Sequence, residues 1–200
     1  MNNSAVSLFE TFSGADEKFL KQVVDEKWEE TLILDFKTVK DADPQKNKNY
    51  KETLAETLSG FGNSDGGVVV WGIYAASTTP DDPDVAQSLN PIKHLKFFLS
   101  DLQRLTPQLI SPGIVGVVHT PIYADLSADT GYVITCVPRS DGLPIMARGK
   151  GQHCFFYRSG SSFLKMETFM LSDRFSRRPQ PKLEFVWRLE PAGSSSGPDG

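Results

Sequence analysis

Apolar residues recur along this chain with two different periods, and the switches between them mark its elements. Phe19, Leu20, Val23, Val24 and Trp28 fall three and four apart, the stripe of an amphipathic helix beginning after Ser13 or Asp16. Over residues 31–39 the period is two. Leu32, Leu34 and Phe36 alternate with Thr31, Ile33, Asp35 and Lys37, which predicts a strand with one charged face. Tyr50, Leu54, Ala55, Leu58 and Phe61 return to helical spacing, and Gly62 and Asn63 tolerate the left-handed backbone that ends such a helix. Residues 63–67 then form a tight turn, and Val68, Val69, Val70 and Trp71 make an apolar run short enough for a strand covered on both faces.

Leu95, Phe97, Phe98, Leu102 and Leu105 suit a further helix. Strands are predicted over 110–118 and 131–137, separated by an acidic loop around Asp125 and Asp129, and over 155–158, entered after Gly149-Lys150-Gly151 and left at Gly160. A short helix over 166–175 closes the domain. Residues 40–49 and 78–84 are polar with Asp and Pro, and read as exposed loops. Beyond Pro181 the run from Leu183 to Leu189 alternates like a strand, and the remainder is Gly/Ser/Pro-rich. The expected fold is α/β in the α+β sense, a mixed twisted sheet with flanking helices. The expected organisation is a helical extension over 1–27, a main domain over 28–178, and a strand with a flexible tail over 179–200 that suits a linker to a C-terminal effector domain.

With 200 residues, 39% of them hydrophobic, the chain can bury a sizeable core without staples. Cys136 and Cys154 sit on apolar strands without C-x-x-C spacing, so reduced thiols and a cytoplasmic location are expected. No apolar run approaches the roughly 20 residues that span a bilayer, which speaks against a membrane partner. A net charge of −4 would count against a polyanion ligand if the charge were spread evenly. It is not: residues 1–36 hold eight carboxylates against three lysines, whereas residues 139–178 hold eight Lys and Arg against three carboxylates. Such asymmetry creates a local positive field on an acidic protein.

Three ordered segments carry the chemistry. They are Glu30 to Lys37, ending in Asp35-Phe36-Lys37; Phe61-Gly62-Asn63-Ser64-Asp65-Gly66-Gly67 with its apolar strand; and Val137-Pro138-Arg139-Ser140 running on to Tyr157-Arg158-Ser159-Gly160-Ser161. Together they resemble the Schlafen-type AlbA-like family, AlbA_2, over residues 28 to 175. The resemblance implies DNA or RNA binding, an ATP-binding label given to bacterial members, and in some eukaryotic members RNA cleavage by three carboxylates with a divalent metal. On that resemblance Glu30 and Asp35 match the first two acidic positions, and would be catalytic with Mg²⁺ or Mn²⁺ if the protein is a nuclease. The third position falls in Gly72-Ile73-Tyr74-Ala75-Ala76, which has no carboxylate; Asp65 is the substitute at hand. Glu30 must also precede the strand to converge with Asp35, since residues five apart on a strand point to opposite faces.

Backbone-directed binding asks less. Lys37, Arg139, Arg148, Lys150, Arg158 and Lys165 are the candidate phosphate contacts, with Arg158 foremost, and the amides around Asn63, Asp65, Gly66 and Gly67 a candidate anion nest. Phe155, Phe156 and Tyr157 cannot all stack on bases, because alternate strand residues point inward. Neither G-x-G-x-x-G nor the Walker A pattern occurs, and His94, His119 and His153 show no ligand spacing. The expectation is a non-catalytic nucleic-acid-binding domain of a bacterial regulatory or defence protein, able to self-associate and needing no cofactor. The alternatives are a metal-dependent endoribonuclease and a nucleotide-binding or protein-interaction module.

Overall fold

A computed structural model describes residues 3–39, 50–77, 79, 82–149 and 152–176. The expectations for residues 40–49, for most of 78–81, for Lys150 and Gly151, and for the strand and tail beyond 176 lie outside them. The fold is α+β, with mixed sheets flanked by helices.

The first sheet is built on β2 (Gly67–Trp71), which runs parallel to β1 (Leu34–Lys37) and antiparallel to β8 (Thr130–Val137). The far side of β8 pairs with β7 (Val118–Asp125), and its start pairs with the short β5 (Ile92–Lys93). Every residue of β2 is buried because both faces of this sheet are covered. Val69 and Trp71 point into a core shared with α3 (Tyr50–Gly62) and α4 (Leu95–Leu105). Val68 and Val70 point into a second core under α1 (Asn3–Ser13) and α2 (Glu17–Asp25), where Phe12, Leu20 and Val23 are buried. Asp16 caps α2, its carboxylate accepting the Phe19 N–H at 2.9 Å.

The second sheet runs β11 (Ser162–Lys165), β10 (Gln152–Ser159), β9 (Met146–Gly149) and β6 (Ile110–Ser111), all antiparallel, and lies against α3. β3 (Ile73–Ala76) and β4 (Val85–Leu89) form a separate hairpin, and α5 (Thr168–Ser176) buries none of its residues.

Several sequence expectations change. The strand expected over 31–39 is four residues long, and its charged face is not exposed: Asp35 is fully buried while Leu32 is half-exposed in the turn before it. The strand expected over 110–118 is only Ile110–Ser111, and a turn separates it from β7. α1 falls within the helical extension expected over 1–27, whereas the β3–β4 hairpin, β5, β9 and β11 carry too short or too mixed a pattern to have been predicted.

Candidate functional site

The glycine-turn motif is the junction of the two sheets. Beyond Phe155, β10 has lost β9 as a neighbour, and side chains from the end of α3 take the missing strand's place. Ser59 Oγ accepts the Phe156 N–H at 3.0 Å, Asn63 Nδ2 donates to the Phe156 carbonyl at 2.9 Å, and Ser64 Oγ accepts the Arg158 N–H at 2.8 Å. Asn63 also pairs with both backbone groups of Ile145, accepting at 2.7 Å and donating at 2.8 Å. An edge of buried backbone is thus satisfied without a strand. Gly60 lets the helix approach this sheet, since a Cβ there would overlap the Phe163 ring. Gly66 has φ +78°, and its added Cβ would lie 2.9 Å from both Arg139 N and the Val137 carbonyl oxygen.

That geometry corrects the anion-nest expectation. The amides of Asn63, Ser64 and Gly66 donate to the carbonyls of Ser59 and Phe61, and Gly67 pairs with Val137 in the sheet. The turn serves the fold, and these donors are already used. Asp65 at its tip holds Arg139 at 3.0 Å, and Arg139 is shared with Asp141 at the same distance.

Arg158 is also corrected. The sequence makes it the foremost candidate phosphate contact, but its side chain is inaccessible. Nη1 donates to Asp35 Oδ1 at 2.9 Å, Nε and Nη2 donate to the Thr31 carbonyl, and Nη2 also reaches the Leu34 carbonyl at 3.1 Å. The guanidinium lies 4.4 Å from the centre of the Phe163 ring and 5.4 Å from that of Phe61. Arg158 therefore caps the open edge of β1 and ties the second sheet to the first.

Glu30 and Asp35 do converge, because Glu30 precedes β1. Glu30 Oε1 accepts the Phe36 N–H at 3.0 Å, and its Oε2 is 3.6 Å from Arg158. Asp35 Oδ2 is 2.7 Å from Lys37 Nζ, an ion pair outside hydrogen-bond geometry. Burial, and then the Asp35 carboxylate, push the Glu30 pKa up to about 7 against the pull of Lys37, Phe36 N–H and Arg158. As a seat for Mg²⁺ or Mn²⁺ the set does not fit. Two carboxylates face two cations, and among the described residues no three His, Cys, Asp or Glu side chains gather into a metal-holding group. Tyr74, in the segment of the third acidic position, lies half-exposed on β3.

Beside this cluster a cleft of about 300 Å³ opens between α3 and the second sheet, lined by Glu52, Ala55, Glu56, Ala147, Gly149, Cys154, Phe156 and Lys165. Burial raises the Glu56 pKa, while Lys37 and Lys165 pull it down and Asp35 pushes it up, so the cleft and the buried cluster share one field. Sequence reasoning missed Glu56 as a site residue. The alternation of Cys154, Phe156 and Arg158 against His153, Phe155 and Tyr157 could have pointed to Phe156 as cleft-facing. Lys165 is exposed on the cleft rim. Arg148 is exposed one residue from Gly149, on the opposite face, with exposed His153 as its cross-strand partner. Neither Arg148 nor Lys165 makes an ion pair with a described residue. Lys150, the sixth predicted cation, lies outside the described residues. Cys136 and Cys154 are free thiols, half-buried, and burial pushes Cys136 up to about 11.

No family model matches the chain, and no curated protein matches it. Among solved structures, the N-terminal domain of an ATP-dependent DNA helicase RecG-related protein from Nitrosomonas europaea, determined by solution NMR, aligns over 88% of this chain and 99% of that chain at 14% identity and a TM-score of 0.49. Among the described residues no helix is long and apolar enough to cross a membrane.

Proposed function

We propose that this chain is a cytoplasmic nucleic-acid-binding domain of AlbA_2 type that holds the phosphate backbone against the β9–β10–β11 sheet. The observation that carries the proposal is the pair of exposed cations, Arg148 and Lys165, on either face of that sheet and without an ion-pair partner among the described residues. The other candidates among the described residues are engaged: Arg158 is buried, Lys37 is held by Asp35, and Arg139 is held by Asp65 and Asp141. The ordered motifs of the sequence support the same reading. The nuclease reading has less support, because the two carboxylates are neutralised within the fold. Binding of this kind weakens steeply with salt and shows little sequence preference. Arg148→Ala and Lys165→Ala, each titrated against labelled single-stranded and duplex DNA and RNA, should each weaken binding and lower the magnitude of the log Kd against log salt slope by about 1. Unchanged slopes in both variants would refute the proposal.

A further inference from the structure

The cleft beside Lys165 has a composition that phosphate contact alone leaves unused. Ala55, Ala147 and Gly149 leave room on its floor, and Phe156, half-buried on the middle strand, gives it an aromatic wall. Glu56 enters from α3, half-buried, and feels Lys37 and Lys165 through space without a hydrogen bond or ion pair to a described residue. Its oxygens, when ionised, are acceptors only, so the group that satisfies them must be a donor. The amine of Lys165 stands at the rim, and about 300 Å³ is the low end of ligand-pocket volumes. A flat, partly apolar ring with an N–H donor on one edge and an anionic group on the other side matches these features together.

We infer that the cleft takes one unstacked nucleobase bearing an exocyclic amino group, its edge on Glu56, its ring against Phe156 and its phosphate on Lys165. This deepens the phosphate-backbone reading and rests on it for the source of the base, a single strand. Cytosine, adenine and guanine offer an amino group to a carboxylate. Thymine and uracil offer one ring N–H between two carbonyl oxygens, which a carboxylate repels. Duplex ends and paired bases cannot enter, because the base must leave its stack.

The test is anisotropy of the full chain with short labelled oligo-dC, oligo-dA and oligo-dT, beside calorimetry with CMP and UMP. The wild type should favour oligo-dC and oligo-dA over oligo-dT by about tenfold, within the range one good base-edge contact supplies. Glu56→Gln should bring the three oligonucleotides to within about twofold, because an amide presents a donor as well as an acceptor. Gly149→Leu gives a second route. Among the described residues an added Cβ there meets only Glu52 Cγ at 3.7 Å, an ordinary contact, so the side chain takes up cleft space, and the preference should again vanish. Equal, salt-dependent binding of all three oligonucleotides by the wild type would overturn the base site and leave the phosphate reading standing. Binding of CMP over UMP without binding of any oligonucleotide would do the reverse, keeping the base site and removing the strand as its source. No binding of either kind would overturn both.

Discussion

Arg158→Met tests the claim that this arginine belongs to the fold. Methionine keeps the unbranched length of the side chain and removes the charge and every donor. Asp35, fully buried, would then lose the partner at 2.9 Å and keep only Lys37, the Thr31 carbonyl would lose its donors, and the Leu34 carbonyl would keep only the Thr31 N–H at 2.9 Å. Breaking a buried pair by removing one partner costs about 3–5 kcal/mol, because the remaining charge is stranded. With a urea m-value of roughly 2 kcal/mol/M for a domain of this size, the unfolding midpoint should fall by about 1.5–2.5 M. The assay is urea denaturation followed by far-UV circular dichroism, with the m-value checked to be unchanged. Arg158→Lys, which keeps a charge but not the forked geometry, should lie between wild type and Arg158→Met. A midpoint shift below about 0.5 M, where m stays near 2 kcal/mol/M, would refute the structural role. If such a variant also lost nucleic-acid affinity, Arg158 would return as a phosphate contact.

Glu30→Gln tests the buried carboxylate through its pH dependence. The folded-state pKa is raised to about 7 from 4.5, so the native state holds this proton more tightly than the unfolded chain, and the associated stability is present at pH 4.5 and lost as pH rises through 7. Gln mimics the protonated form, so the variant should gain on the wild type between pH 5 and pH 8, by roughly 2–3 kcal/mol at most. A stability difference that is the same at both pH values, measured by chemical denaturation, would contradict the assignment. Asn63→Ala removes the side chain that pairs with Ile145 and Phe156 and leaves buried backbone groups unsatisfied, for a cost of about 2–4 kcal/mol. The hydrogen-exchange protection of the Ile145 amide should fall with it, and a loss of stability under 1 kcal/mol would show that the turn does not join the sheets.

The sequence made legible whatever is local and periodic. The β-branched run before Trp71 announced a strand buried on both faces, and it lies between two cores. The spacing of Glu30 and Asp35 required Glu30 to stand before the strand, and it does. What was not legible depends on partners far away in the chain. Nothing near Arg158 says that its guanidinium will meet Thr31, Leu34 and Asp35, more than 120 residues away, so a basic residue in a glycine-flanked turn read as a surface contact. Asn63 and Ser64 look like ordinary turn residues until Ile145, Phe156 and Arg158 arrive beside them. Glu56 reads as the polar face of a helix, and only the neighbouring sheet turns it into the wall of a cleft. β11 has four residues with an alternation too short to register, and it brings both Phe163 to Arg158 and Lys165 to the cleft rim.

The most direct measurement is the salt dependence of binding to a labelled single strand by the wild type and by the Arg148→Ala/Lys165→Ala double variant, at constant pH with EDTA present. The account predicts that the wild type binds with a steep negative slope of log affinity against log salt, and that the double variant, equally stable to urea, loses about 2 from the magnitude of that slope. A wild-type chain that binds no polynucleotide at low salt, or a double variant that binds with an unchanged slope, would contradict it.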